Sequence, residues 1–278
     1  MEPMKHAPIG VFDSGYGGLT VLKELIGVLP KNDFLYLGDN ARTPYGTRSF
    51  KVVYDYTLQA VKYLFRQGCP LVIIACNTAS AKALRNIQQL DLPHLSPDRR
   101  VLGVIRPSVE KVAEITRNGH IGVLGTPGTV ASESYPIELQ KWSGEKVVST
   151  VQEACPLWVP IVENNEIESE GAHYFVRKNI EGVLAKDKDL DTLILGCTHY
   201  PLLIDVIRKY TPLHIHILEQ GAIVAEKLLD YLGRHPEMKD RLSENGDLLF
   251  QTTESAENFT EKAALFLGSN VDAKSVYF

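Results

Sequence analysis

The chain reads as an α/β protein of two pseudo-symmetric domains, each a mostly parallel sheet flanked by helices. Two observations predict this. Short β-branched runs alternate with helical patterns from one end to the other, and two pairs of distant segments echo one another.

The runs IGVF at 9–12, FLYLG at 34–38, LVIIA at 71–75, VLGVI at 101–105, HIGVL at 120–124, TLILG at 192–196 and HIHIL at 214–218 read as buried strands. They are too continuously apolar for strands with one wet face. Leu19, Leu22, Leu25, Ile26 and Leu29 repeat at helical spacing, as do Val53, Tyr56, Ala60 and Leu64, which predicts crossover helices between parallel strands.

The echoes suggest a duplication. IGVFDSGYGG from Ile9 and IGVLGTPGTV from Ile121 are each a strand running into a Gly-containing turn that opens a helix. VIIACNTAS at 72–80 and LILGCTHYP at 193–201 each end an apolar strand with a small residue, a cysteine and a threonine within two positions. With 278 residues there is room for two medium domains. The expected division is 1–104 with 217–278 as one domain, to which the chain returns, and 105–216 as the other. In parallel sheets ligands gather beyond the carboxyl ends of the strands. Face-to-face halves would bring one cysteine from each into an interdomain cleft.

Composition narrows the classes. Apolar residues at 44% and charged residues at 23% fit a globular protein. A net charge of -5 without a long Lys/Arg run argues against a nucleic-acid or membrane-surface footprint. The opening MEPMKHAP has no apolar signal region, and no stretch is long enough to span a bilayer, so a cytoplasmic home is expected. There, Cys69, Cys76, Cys155 and Cys197 stay reduced, and they lack the spacing of a metal site. His214 and His216 alternate on a strand without a third ligand, so no metal is expected.

Cys76 and Cys197 sit in matching settings near helix starts, where the helix dipole favours thiolate. Thr78 and Thr198 follow with hydroxyls able to donate to a carboxylate. Cys69, in RQGCP, and Cys155, in EACP, read as structural. Asp13 and Ser14 occupy the turn of VFDSGYGG, either as helix caps or as groups for a substrate ammonium. In GDNARTPYG, the backbone N–H groups of Tyr45 and Gly46 are candidate donors. His199, two residues after Cys197, is a candidate proton partner. GYGG lacks the spacing of a dinucleotide fingerprint. No lysine stands out as a Schiff-base former, so no cofactor is expected.

At VFDSGYGGLTVL, YLGDNARTPYG, ACNTASA, GVLGTPGTV, ACPLWVP and LILGCTHYPLL the chain closely resembles the bacterial glutamate racemase family over nearly its whole length. The resemblance implies that Cys76 and Cys197 are two opposed proton donor/acceptors, assisted by Asp13, Glu163 and His199. It implies that Asp13, Ser14, Tyr45, Gly46, Asn77, Thr78, Thr198 and His199 line the substrate site. It further implies a homodimer that supplies D-glutamate for peptidoglycan. The chain departs from the usual pattern at GVIRPS, 103–108, where GVIEPG is common, and at Glu219 and Gln220, where an Asp-Ser pair is common. Three other readings are a racemase of aspartate or another acidic amino acid, a thiol hydrolase, and a non-catalytic amino-acid-binding protein.

Overall fold

The computed structural model describes residues 7–278; the opening MEPMKH, read as part of a segment without a signal region, lies outside them. Ten strands form two wholly parallel sheets. They are β1 (Ile9–Asp13), β2 (Phe34–Gly38), β3 (Leu71–Ile74), β4 (Arg100–Gly103), β5 (His120–Gly125), β6 (Ser149–Ala154), β7 (Thr192–Gly196), β8 (His216–Leu218), β9 (Leu248–Thr252) and β10 (Ala273–Ser275). Every residue of β1, β2, β3 and β7 is buried, as strands covered on both faces require.

The first sheet runs β10-β9-β2-β1-β3-β4 and the second β6-β5-β7-β8. The four strands of the second sheet have the order of β2-β1-β3-β4 in the first, so the sequence echo is a topological repeat. β1 corresponds to β5 and β3 to β7. In both sheets the order reverses beside the first of these strands, and the chain leaves its two sides in opposite directions. A crevice opens at such a switch point beyond the carboxyl ends of the strands.

Three strands lie outside the predicted set, each for a visible reason. β6 is the edge of the second sheet, and STVQEA is half-buried throughout, with no apolar run to reveal it. β9 exposes Leu248 and Leu249, and β10 is a three-residue edge. Two predicted strands are shorter than expected. VLGVI ends at Gly103 because Ile105 opens the helix Ile105–Ile115, and HIHIL pairs only from His216.

The chain crosses to the second sheet through helix Ile105–Ile115 and returns through helix Gly221–Arg234. The returning helix buries Val224, Ala225, Leu228 and Leu232 while helix Gly18–Val28, packed against it, buries Leu19, Val21, Leu22 and Leu25. One continuous apolar core runs from Ile9, Leu22 and Phe34 to Trp158, Leu193 and Tyr200, joining the two sheets. No helix among the described residues is long and apolar enough to cross a membrane.

Candidate active site

Both cysteines stand immediately past a central strand, at the switch points. Cys76 follows β3 after Ala75, whose amide still bonds to Phe12 at 2.8 Å. It caps the helical segment beginning at Asn77, its Sγ accepting from the Ala79 amide at 3.4 Å. Cys197 directly follows β7. Each thiol is only 6% exposed, so the site is nearly closed to solvent.

The echoing turns pair across the two halves. Thr78 of the first half lies 2.9 Å from Thr126 Oγ1 of the second, and Thr198 of the second donates to Asp13 Oδ2 of the first at 3.5 Å. Thr126 occupies in the second half the place of Ser14 in the first. Thus each cysteine turn meets the strand-end turn of the opposite half, and the Cys197 sulfur is near enough for its charge to act on Cys76. Gly17 makes the approach possible: a Cβ there would lie 2.2 Å from Thr198 Oγ1 and 2.4 Å from His199 Nδ1.

The two thiols have different company. Ser14 Oγ lies 3.4 Å from Cys76 Sγ. Burial and the nearby Asp13 carboxylate push the Cys76 thiol up to about 12, although the Ser14 and Ala79 bonds oppose them. A helix start alone was expected to favour thiolate; removal from water and a neighbouring negative charge outweigh it. Cys197 Sγ instead lies 3.9 Å from His199 Nδ1, and His199 Nε2 meets Glu163 Oε1 at 2.9 Å. Burial alone would lower the His199 pKa, but the Cys197 and Glu163 hydrogen bonds and charges raise it to about 10. These partners favour the imidazolium form of His199, which would offer a donor to each of them.

Asp13 is fully buried, with Oδ1 accepting from the Gly15 amide at 2.9 Å. Burial raises its pKa, while His199 and the Gly15 and Gly18 amides lower it. Tyr45 is buried and its hydroxyl donates to Asp39, leaving its ring and backbone for the site. Gly46 reaches the second half: its carbonyl accepts from the Gly128 amide at 2.7 Å, and a Cβ would lie 2.9 Å from that of Thr126. Asn77 Oδ1 accepts from Tyr135 at 2.7 Å, whereas its buried Nδ2 has no protein partner. Such a donor suits an anionic ligand.

Asp13, Ser14, Cys76, Asn77, Thr78, Cys197, Thr198, His199 and Glu163 thus gather at the facing strand ends, with the Tyr45–Gly46 loop against them. A cavity of about 370 Å³ adjoins the site at Tyr16, Asn40 and Glu163. Sequence reading missed Thr126, although its echo with Ser14 was a usable signal. It also missed Tyr135, which nothing in the local pattern marks. His214 and His216 are both exposed. Among the described residues the one His/carboxylate cluster that could hold a metal is His120, Asp187 and Asp189, at the amino end of β5 and away from the thiols.

Known proteins resemble the chain in sequence and in fold. The sequence profile of the family described as Asp/Glu/Hydantoin racemase matches residues 22–228. A glutamate racemase of Geobacter metallireducens is 39% identical over 269 residues, covering 96% of this chain and 95% of its own. The crystal structure of a glutamate racemase isoform from Bacillus anthracis superposes with a TM-score of 0.88 at 35% identity, covering 98% of both chains. That of the Francisella tularensis glutamate racemase in complex with D-glutamate gives 0.86 at 30% identity, covering 99% of this chain and 98% of that one.

Proposed function

From the premise that the chain belongs to the Asp/Glu/Hydantoin racemase family, we propose that it interconverts L- and D-glutamate by proton transfer between two opposed thiols. The observation that supports the reading is the reciprocal pairing of the cysteine turns, Thr78 with Thr126 and Thr198 with Asp13.

Inverting an α-carbon requires a base on one face and an acid on the other. A thiolate takes the α-proton and becomes a thiol; the opposite thiol gives its proton to the carbanion and becomes a thiolate. Cys76 acts on the D-isomer and Cys197 on the L-isomer, so the roles exchange with direction. A substrate ammonium beside Asp13 would offset the negative charge that now opposes ionisation of Cys76. His199, held by Glu163, serves Cys197. The Asn77 amide, the Thr78 and Thr198 hydroxyls and the Tyr45 and Gly46 amides bind the carboxylates and stabilise the developing charge in a site without bulk water. No cofactor takes part in this scheme.

The near-complete burial of both thiols means that substrate enters as the halves part. The moving bodies are 1–104 with the chain after β8, and 105 to Leu218; Ile217 and Leu218 pair with β7, which moves the expected boundary at 216/217 to the end of β8. By the same resemblance, the protein is a cytoplasmic homodimer supplying D-glutamate for peptidoglycan. Polarimetry tests the function: optical rotation of either glutamate enantiomer should decay to zero with catalytic enzyme, and far more slowly for aspartate. A faster decay with aspartate would reassign the substrate, and binding of glutamate without decay would leave a binding protein.

A further inference from the structure

Beyond the site itself, a chain of buried polar groups connects Asn77 to the two crossover helices. Ser108 Oγ donates to the Val104 carbonyl at 2.9 Å. Gln220 Nε2 donates to Ser108 Oγ at 2.6 Å and to Tyr135 Oη at 2.8 Å, with the Val104 carbonyl 3.3 Å away. Tyr135 Oη then donates to Asn77 Oδ1 at 2.7 Å. Gln220, Ser108, Tyr135 and Asn77 are all less than 5% exposed.

The direction of this chain follows from donor and acceptor capacity. A carbonyl only accepts, so Val104 takes the hydroxyl hydrogen of Ser108. The Ser108 oxygen is then an acceptor, and Gln220 must turn its NH₂ toward it. The same NH₂ supplies Tyr135, whose one hydrogen is left for Asn77. Burial holds the Tyr135 hydroxyl protonated far beyond neutral pH, so it remains a donor. Asn77 must therefore present its carbonyl to Tyr135 and its unpartnered NH₂ to the site.

We propose that Gln220 is a positioning residue that, anchored by Ser108 and acting through Tyr135, fixes the Asn77 amide with its NH₂ toward the substrate. Ser108 and Gln220 are far apart in sequence, and in the fold they bond to each other. Each belongs to one crossover: Ser108 lies in helix Ile105–Ile115, and Gln220 immediately precedes helix Gly221–Arg234. The chain thus completes itself only when the second-half Tyr135 meets the first-half Asn77, which ties the donor's orientation to closure of the halves. The inference rests on the reading of the site as one for an amino-acid carboxylate.

The test has two readouts. Gln220→Met should shift the Asn77 side-chain NH₂ resonance in a proton–nitrogen spectrum of the ligand-free protein, whether or not glutamate is a substrate. It should also raise KM for both enantiomers about ten-fold, the scale of one hydrogen bond to a charged group, with kcat changed less than about three-fold. Gln220→Glu, nearly isosteric, keeps the test open should the first variant not fold; it accepts from Tyr135 and withdraws that donor from Asn77. A folded variant whose Asn77 resonance does not move overturns the proposal. A wild type that turns over no glutamate overturns the proposed reaction, while the resonance still decides the relay.

Discussion

His199 Nε2 lies 2.9 Å from Glu163 Oε1, so the ring that faces Cys197 is held from behind by a carboxylate. Cys76 has no imidazole; its neighbours are Ser14 and Asp13. The site is pseudo-symmetric in backbone and asymmetric in charge.

The Glu163–His199 pair gives stability a pH dependence. The folded His199 pKa, about 10, is above the ordinary 6.5. Its contribution is fully present below about pH 6.5 and is lost as pH rises through 10. Glu163→Gln removes one source of that shift. Wild type should therefore lose more melting temperature than Glu163→Gln between pH 6.5 and 10. Parallel losses in thermal scans would show that the imidazolium is not held by Glu163.

Cys76→Ser and Cys197→Ser should each cut kcat/KM by on the order of 10²–10⁴-fold, because a serine hydroxyl is far too weak an acid near neutral pH. Enantiomers have equal free energy in water, so the loss must be equal in both directions. Cys69 is fully buried against the first sheet, its sulfur 3.2 Å from where a Gly10 Cβ would stand. Cys69→Ala should cost stability, about 1 kcal/mol for a small cavity, and leave turnover unchanged. Equal losses of activity in all three variants would reassign the chemical thiols.

Gly17→Ala places a methyl within 2.4 Å of both Thr198 Oγ1 and His199 Nδ1. The Cys197 turn must move by more than an ångström or the halves must open. We expect at least a hundred-fold loss of kcat/KM, since misplacement of that size is costly in catalysis. Near-normal kinetics in this variant would mean that the two turns do not meet during turnover.

Tyr45→Phe separates structure from binding. The hydroxyl serves Asp39, which also bonds to Arg42 and Thr253. Removing it should cost about 1–3 kcal/mol in a denaturant titration. KM should change less than about three-fold, because the ring and backbone remain. A large KM change would place that hydroxyl on the substrate.

The buried strands and the placing of both cysteines were legible because a parallel strand covered on two faces announces itself as an apolar run, and LVIIA and TLILG are such runs. β6 and β10 were not, because edge strands carry polar residues and resemble loops. VLGVI over-ran because Val104 and Ile105 are buried as a helix start rather than as strand, and composition does not distinguish the two. In the site, the echo of FDSG with LGTP pointed to paired turns. It could not reveal that Thr198 reaches Asp13 or that Thr78 reaches Thr126, contacts that exist only when the halves meet. Tyr135 gave no signal, and Gln220 stood out as a departure from the family pattern without showing a role, since their roles depend on partners 58 and 112 residues away.

The most direct test of two opposed thiols is the early distribution of label when L-glutamate is converted in deuterated water. With separate acid and base, the D-glutamate formed first carries deuterium at its α-carbon while the remaining L-glutamate stays protiated. Deuterium appearing at comparable rates in both enantiomers would mean that one group serves both faces, and would contradict the assignment of Cys76 and Cys197.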